Sequence, residues 1–486
     1  MKDEQRMADG REWTADVETL TRSYGREIFA RLEGSGPVPF APSWWDERLM
    51  EWSMGNEAVK LQLFRFVDVL PMLHTPEAIV RHLREYFGEA RERLPGWLRW
   101  GLRRLPSRGI LGRLLAALAY RSAERLARKF IAGANLAEAL EAVARLRQRS
   151  LAFTIDRLGE ATITEQEAEQ AQADYLELIH GLSRQVNRWK TNDLIDYAPL
   201  SLPKKNGEED REVPRVNVSV KLSALYSQFD PIDPEGTSWA VRRRLRPILH
   251  AARERAAFVN IDMEQYAFKD LTLQIFREIL EEPDFRDWPN VGIAIQAYLR
   301  DTAGDLEELA AWAQRRGTPV TVRLVKGAYW DYETIVAAQM GWPTPVWSQK
   351  WQTDANYERL TKFLIAQRRW LNPALASHNV RSLAHALALA HIHGLPPGAV
   401  EYQMLYGMAE PIKDALVALG QRVRVYTPYG QLLPGMAYLV RRLLENTANE
   451  SFLRASFMEH VPEEQLLRNP LEVPAHSREN DYTALG

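Results

Sequence analysis

The amino-acid sequence predicts an α/β fold, a (β/α)8 barrel of the TIM type that follows an all-helical N-terminal region. Three observations lead to this prediction. Beyond position 150, eight short runs rich in β-branched residues alternate with helical patterns. These runs are nearly continuously apolar, as parallel strands covered on both faces require. Almost every run also ends in a polar residue, which is typical of barrel strands that carry a site at their carboxyl ends.

Residues 1–150 predict helices and no strand. In "EAIVRHLREYFGEARERL" (77–94) and "NLAEALEAVARLRQR" (135–149), apolar residues recur at spacings of three and four. That is the period of an amphipathic helix. We therefore expect a helical region before the barrel.

The barrel is expected to span residues 151–457. Its predicted strands are LAFTID (151–156), VNVSVK (216–221), AFVNID (257–262), VGIAIQ (291–296), PVTVRLVK (319–326), ALASHN (374–379), AVEYQML (399–405) and RVRVYTP (422–428). Helical patterns lie between them, for example 165–182, 240–256, 305–316, 357–371 and 380–392. Residues 187–215, polar and containing proline, predict a surface excursion between the first two strands. Residues 458–486 are expected to form a tail.

The composition indicates a soluble protein and excludes several classes of function. A length of 486 residues with 46% hydrophobic residues is ample for a large core, and the net charge of -2 gives no general attraction to nucleic acid. The absence of cysteine excludes disulfides and thiolate metal sites. The start lacks the apolar core of a signal peptide, and "ILGRLLAALAY" is too short to span a membrane. We therefore expect a cytoplasmic protein.

Polar residues at the predicted strand ends form the candidate site. They are Asp156, Lys221, Asp262, Gln296, Arg323, Lys326, His378, Asn379, Gln403 and Tyr426. His378 is the one histidine among them and no H-E-x-x-H helix occurs, so we expect no metal centre. No phosphate loop, strand-linked G-x-G-x-x-G or G-x-S-x-G motif is found.

Two kinds of chemistry fit these residues. Lys221 or Lys326, desolvated at a strand end, could form a Schiff base with a carbonyl substrate. Alternatively, a flat cofactor lies across the barrel mouth and the cations bind an anionic substrate. The aromatic residues near the same ends favour the second hypothesis; they are Tyr329, Trp330, Tyr402, Tyr426 and Tyr438.

Two adjacent arginines, Arg441 and Arg442, lie in "YLVRRLLENTANESF" (438–452), among apolar residues that predict the buried stripe of a helix. A guanidinium does not lose its proton, so burying such a pair without counter-charges is costly. The two residues therefore either reach solvent or bind an anion.

Seven motifs carry a family resemblance: "SVKLSAL", "NIDMEQY", "IQAYLRD", "VRLVKGAYWD", "SHN", "EYQMLYGM" and "YLVRRLLENTANESF". In this order they resemble the proline dehydrogenase domain of bacterial proline utilization A, over a stretch from about residue 153 to Phe452. Residues 1–150 resemble that family's helical arm and helical domain, most clearly in "WWDERLMEWSMGNEAVKLQLFRFVDVLP". The aldehyde dehydrogenase half of most members is missing, so we expect either a natural one-reaction enzyme or a truncated bifunctional one.

The resemblance implies the substrate residues. Lys221, Arg441 and Arg442 are implied to hold the carboxylate of L-proline, which supplies the anion for the arginine pair. Glu160 is implied as an ion-pair partner of Arg441 that closes the site. The implied walls around the proline ring are Tyr329, Leu405, Tyr426 and Tyr438. The residues implied to take part in catalysis are Lys221, Asp262, Arg323, Tyr426, Arg441 and Arg442, with a supporting electrostatic role for Asp262.

FAD, bound non-covalently, is the implied cofactor. Gln296 and Arg323 match residues near the reactive flavin ring. The implied contacts of the ribityl and phosphate portions are Lys326, Gly327, Ala328 and Trp330. Further implied contacts are Ser348, Lys350, Thr353, Ser377, His378, Asn379 and Glu445. Ser348 and Ser377 stand where many members have threonine, and both keep a hydroxyl.

The resemblance implies hydride transfer from proline to the flavin, giving pyrroline-5-carboxylate, with the electrons passed to a membrane quinone. A separate pyrroline-5-carboxylate dehydrogenase is a further implied partner. Two alternatives are a flavoprotein that oxidises hydroxyproline or another cyclic amino acid, and a flavin-free regulatory or scaffolding relic. The intact set of Lys221, Arg441 and Arg442 argues against the relic.

Use of a quinone requires contact with a membrane. Residues 95–150 hold 12 basic and 3 acidic residues, with Trp97 and Trp100 at the start. A helix at the inner membrane surface is compatible with this pattern. Because arginine is frequent throughout the chain, a solvated or subunit-facing helix is favoured, and the oligomeric state stays open.

Overall fold

Eight parallel strands close into a barrel in the computed structural model of the protein. The strands are β1 (Ala152–Arg157), β2 (Val216–Val220), β3 (Ala257–Ile261), β4 (Val291–Gln296), β5 (Val320–Val325), β6 (Leu371–Ala376), β7 (Glu401–Leu405) and β8 (Arg422–Tyr429). Neighbours in sequence are neighbours in the barrel, and β1 closes it by pairing with both β2 and β8. This confirms the predicted fold class. The structure describes residues 14–32, 62, 65–66, 69–73, 75–89, 109–159, 162–199, 211–431, 435 and 461–472.

Helices follow the strands around the barrel. Before β1 the described part of the chain forms α1 (Ala15–Leu32), α2 (Pro76–Glu89), α3 (Gly109–Phe130) and α4 (Leu136–Gln148). Between the strands lie α5 (Glu165–Val186), α6 (Asp193–Asp196), α7 (Pro234–Glu254), α8 (Lys269–Glu281), α9 (Thr302–Arg316), α10 (Trp330–Met340), α11 (Lys350–Ala366), α12 (Val380–Ile392) and α13 (Glu410–Ala418). A short α14 (Glu463–Leu466) lies in the predicted tail. No helix in these described ranges is both long enough and apolar enough to cross a bilayer.

The predicted strand boundaries hold except at β6. The sequence predicts a strand over 374–379, whereas β6 runs from Leu371 to Ala376. The predicted helix over 357–371 is correspondingly too long, since α11 ends at Ala366. Pro373 lies inside β6 and removes one backbone donor from it, so the segment has the local signature of a turn. Pairing in register with β5 and β7 nevertheless makes this segment a strand.

The interior of the barrel is polar. Successive strand residues point to opposite faces, and the outward set, such as Val218, Val220 and Val259, joins the hydrophobic core beneath the helices. The inward set is buried but hydrogen-bonded across the barrel, for example from Thr154 Oγ1 to Asn217 Oδ1 at 2.7 Å. Many TIM barrels fill this space with branched aliphatic residues. Here it holds charges and amides, many of which bond one another.

The excursion between β1 and β2 lies at the amino ends of the strands. Its described residues include α6 and a two-stranded antiparallel pair, 197–198 with 211–212. Arg147 on α4 donates two hydrogen bonds to the carboxylate of Asp196, both at 2.8 Å, and Arg215 Nε lies 3.3 Å from the same group. Pro199 and Val213 line a small cavity with inward residues of the strands. The excursion therefore covers the end of the barrel opposite the candidate site.

Helix α1 packs on the barrel against α12, and its residues Val17, Ile28 and Phe29 belong to the main core. Arg381 on α12 donates to Glu18 of α1 at 2.7 Å and to the carbonyl of Leu467 at 2.9 Å. One buried guanidinium thus joins segments from both ends of the described chain.

Candidate active site

A cluster of bonded charges occupies the carboxyl ends of β1, β2 and β3. Lys221 follows β2 directly, and its Nζ forms a short ion pair with Asp156 of β1. The same Nζ lies 3.6 Å from Asp262 Oδ2, at the end of β3. Lys221 and Asp262, which were both predicted at strand ends, therefore lie close together at the same end of the barrel. Parallel register places these ends side by side, and that is why residues far apart in sequence meet here.

Arg323, an inward residue of β5, extends the cluster across the barrel. Its Nη1 donates to Asp262 Oδ1 at 2.7 Å and to Ser219 Oγ at 3.0 Å. Its Nε donates to Gln403 Oε1 on β7 at 2.7 Å. The guanidinium is therefore held from three strands and is 3% exposed, which leaves it little freedom to move.

Tyr426 on β8 joins the same cluster from the other side. Its hydroxyl donates to Asp262 Oδ2 at 2.8 Å, and the Arg323 guanidinium carbon lies 5.1 Å from the centre of its ring. Burial and the nearby carboxylates of Asp156 and Asp262 raise the pKa of Tyr426, so the phenol stays protonated and remains a donor.

Electrostatics keep Lys221 charged. Burial opposes its charge, but the carboxylates of Asp156 and Asp262 outweigh that effect and raise the pKa of the ammonium above its usual range. A lysine must be neutral to attack a carbonyl, so this environment argues against a Schiff base at Lys221. It suits a fixed positive charge for an anionic ligand.

Lys326 lies in a different environment, just after β5. It forms a short ion pair with Asp354 of α11, and Lys350 Nζ donates to the same carboxylate at 2.9 Å. Burial lowers the pKa of Lys326 despite this partner. Burial would raise the pKa of Asp354, but its two lysines outweigh it and lower that pKa. The pair Lys326 and Lys350 is thus organised by one carboxylate that was not among the predicted site residues.

The remaining predicted site residues line the mouth on the β4 to β7 side. Gln296 donates to the carbonyl of Glu264 at 3.0 Å, and His378 Nε2 accepts from the backbone NH of Leu405 at 3.1 Å. Asn379 caps α12 by accepting from Ser382 N at 3.2 Å. Tyr329 and Trp330, at the start of α10, pack with Tyr298. Ser348 Oγ donates to Gln352 Oε1 of α11 at 3.2 Å, and Ser377 Oγ accepts from Asn379 N at 3.1 Å. Ala328 is exposed on the loop after β5.

The described residues fit a polar cofactor at this mouth. Among the described residues predicted to bind the cofactor, three buried atoms have no hydrogen-bond partner: Gln296 Oε1, Arg323 Nη2 and Thr353 Oγ1. Buried polar atoms are nearly always satisfied, so these positions are consistent with a ligand that completes their bonding. Gly327 has φ +132°, and a Cβ there would lie 2.4 Å from the ring of Tyr298. Glycine therefore allows the backbone to run this close to the Tyr298 ring.

Five predicted site residues fall outside the described residues: Glu160, Tyr438, Arg441, Arg442 and Glu445. Their assignments stay predictions.

The structure adds Asp354 and Glu264, which the sequence analysis did not name. It also gives partners to Asp156 and Gln403, which were predicted at strand ends without a specific role: they bond Lys221 and Arg323. Asp354 lies four residues after Lys350, a spacing that brings helix side chains together but is common on any helix. Glu264, which accepts from Ser223 Oγ at 2.7 Å, carries no local signal.

Comparison with known proteins gives two family matches. The proline dehydrogenase family matches residues 139–455, and the N-terminal domain of proline utilization A matches residues 18–130. A bifunctional protein PutA from Klebsiella aerogenes is 31% identical over 353 residues, which cover 71% of this chain and 25% of that protein. Proline dehydrogenase 1 from Bacillus subtilis (strain 168) is 29% identical over 328 residues, covering 67% of this chain and 89% of that protein.

Solved structures give the same result. The crystal structure of PutA from Bdellovibrio bacteriovorus, inactivated by N-propargylglycine, superposes with a TM-score of 0.83 and 42% sequence identity. The match covers 94% of this chain and 44% of that one. The chain therefore spans less than half the length of these PutA proteins. Because the family match takes in the whole barrel with its charged mouth, the chain belongs to the proline dehydrogenase family.

Proposed function

We propose that the protein oxidises L-proline to pyrroline-5-carboxylate with FAD as the cofactor. The observation that carries the proposal is the bonded cluster of Lys221, Asp262, Arg323 and Tyr426 at the mouth of a barrel of this family. Bound FAD supplies the acceptor for the hydride that leaves the proline ring carbon next to nitrogen.

The residues of the chain prepare the substrate for this step. Lys221, with Arg441 and Arg442, is proposed to bind the carboxylate, so that the ring has one orientation. Tyr426, Tyr438, Tyr329 and Leu405 are proposed to enclose the ring. As the C–H bond breaks, the nitrogen lone pair forms the C=N bond, so the amine must be deprotonated before reaction.

Arg323 is proposed to stabilise the charge that accumulates on the cofactor. It brings a permanent positive charge to a buried position, where electrostatic stabilisation is strong. Asp262 holds the guanidinium on one side and the Tyr426 hydroxyl on the other, which matches its proposed supporting role.

The wider context also belongs to the proposal. We place the enzyme in the cytoplasm, with peripheral contact at the inner membrane face, a quinone as electron acceptor and a separate pyrroline-5-carboxylate dehydrogenase as the consumer of product. We also propose a division into a helical arm and domain (1–150), a catalytic barrel (151–457) and a tail (458–486).

The test is a visible spectrum of the purified protein before and after anaerobic addition of L-proline. We expect a flavin band that bleaches with proline. A band that persists with proline but bleaches with hydroxyproline or another cyclic amine would show that this other compound is the substrate. Absence of a flavin band, even after incubation with FAD, would contradict the proposal that FAD is the cofactor.

A further inference from the structure

Glu401 on β7 is a buried group below the mouth that the proposed reaction does not use. Glu401 is 6% exposed inside the barrel. Its carboxylate accepts from Arg424 Nε at 2.8 Å and from Arg424 Nη2 at 2.9 Å, and Arg422 Nε lies 3.2 Å away. Burial opposes its charge, but the two guanidinium groups outweigh that effect and lower the pKa of Glu401 to about 2. Glu401 is therefore a permanent anion in the barrel.

One amide connects this anion to Arg323. Gln403 Nε2 donates to Glu401 Oε1 at 2.7 Å, and Gln403 Oε1 accepts from Arg323 Nε at 2.7 Å. An ionised carboxylate only accepts and a guanidinium only donates. The Gln403 amide therefore has a single orientation that satisfies both neighbours.

Glu401 itself is remote from the reaction. With Arg422, Arg424 and Asn372 it lines the cavity at the amino end of the strands, which Pro199 and Val213 of the excursion also line. Substrate enters a TIM barrel from the other end. Among the described partners of Glu401, Gln403 is the one that also bonds Arg323.

We propose that Glu401 and Gln403 are positioning residues, which hold the Arg323 guanidinium in the orientation that the bound cofactor requires. Glu401 determines which end of the Gln403 amide faces Arg323. Gln403 binds Arg323 Nε, while Ser219 and Asp262 bind Nη1, so that Nη2 is left without a partner among the described residues. This inference rests on the proposed function, since it assigns Arg323 to the cofactor.

The test uses two variants of the full-length, FAD-loaded protein. Glu401→Gln removes the anion at nearly constant shape, and Gln403→Met removes the amide but keeps the pair of Glu401 with Arg424. For both we expect a more negative flavin midpoint potential, a kcat for proline reduced about tenfold or more, and a KM within about twofold of wild type. In the Gln403→Met background, Glu401→Gln should shift the potential no further, because its connection to Arg323 is already gone.

Asp196→Asn is the matched control. Asp196 is also a buried carboxylate held by two bonds from one arginine, but its partners are Arg147, Arg215 and the backbone NH of Asn192. It should lose stability and keep the wild-type potential. Wild-type potential and kcat in both test variants would overturn the inference, and so would an equal shift in Asp196→Asn, which would indicate general loosening.

If Glu401→Gln does not fold, the flavin midpoint potential of Gln403→Met tests the inference alone. A more negative potential supports it, and a wild-type potential overturns it. Failure of the proposed function is a separate result, because it would appear in the wild-type protein as absence of a flavin band or of bleaching by proline.

Discussion

Two lysines near the barrel mouth show how neighbours determine what a residue can do. Lys221 lies between two carboxylates, and its pKa is raised. Lys326 shares its carboxylate with a second lysine, and burial lowers its pKa. Both are lysines at strand ends and are equivalent in a sequence pattern. Only the three-dimensional positions of Asp156, Asp262 and Asp354 distinguish them.

Gly327 allows a test at the same scale. Its φ of +132° is rarely adopted by other residues, and an added methyl would meet the ring of Tyr298. We expect Gly327→Ala to displace the loop after β5 and to lower the fraction of protein that retains FAD after gel filtration. Gly304→Ala is the control, because it lies in α9 with no atom within 4 Å of the added Cβ. Equal flavin content in both variants would show that the loop does not contribute to cofactor binding.

At the scale of elements, a buried ion pair helps to hold the excursion between β1 and β2 on the barrel. Asp196 ends α6 and is 1% exposed, and Arg147 comes from α4. The pair connects α6 to α4, the helix that leads into β1. Burial opposes the charge of Asp196, but Arg147 and the backbone NH of Asn192 outweigh it and lower its pKa.

This lowered pKa predicts a pH-dependent stability. A depressed carboxyl pKa stabilises the folded state above the unfolded-state value, and the contribution is lost as pH falls through the folded value. Asp196→Asn should therefore lower the free energy of unfolding by about 1 to 3 kcal/mol at pH 7. The difference should shrink below about pH 4, measured by urea unfolding.

Asp193→Asn is the control for that experiment. Asp193 is exposed on the same short helix, so its substitution should change stability by less than about 0.5 kcal/mol. A gap between Asp196→Asn and wild type that is the same at pH 7 and below pH 4 would contradict the assigned role.

At the scale of the whole molecule, the two ends of the barrel differ in structure. The carboxyl ends of the strands carry the bonded charges at the mouth, and the excursion covers the amino ends. The polar interior links the two ends through Arg323, Gln403 and Glu401. This arrangement makes the barrel both the scaffold and part of the electrostatic environment of the site.

The proposed reaction of this assembly has a defined pH dependence. Proline reacts as the free amine, so kcat/KM should rise with pH as that amine deprotonates. Because the pKa of Lys221 is raised, its ammonium group stays charged over about pH 7 to 9. Binding of the substrate carboxylate should therefore not weaken in this range. Cyclopentanecarboxylate, which has no amine, should therefore inhibit with a constant that does not change over this range. An inhibition constant that rises steeply would show that a binding cation is titrating.

The sequence by itself determined the fold class, seven of the eight strand positions and most of the strand-end residues that meet at the mouth. Periodicity and strand-end chemistry are local properties, so they can be seen in the chain before it folds. The extent of β6 was decided by register with its neighbours, against the local signal of Pro373.

Tertiary structure alone decided which charges pair. The bonds of Asp156 to Lys221, Asp354 to Lys326 and Gln403 to Arg323 join residues 65, 28 and 80 positions apart in sequence. No local pattern specifies such partners, because barrel closure and the inward or outward direction of each strand residue determine them. The polar interior follows from the same cause, since its charges are tolerated only where closure brings their partners within hydrogen-bonding distance.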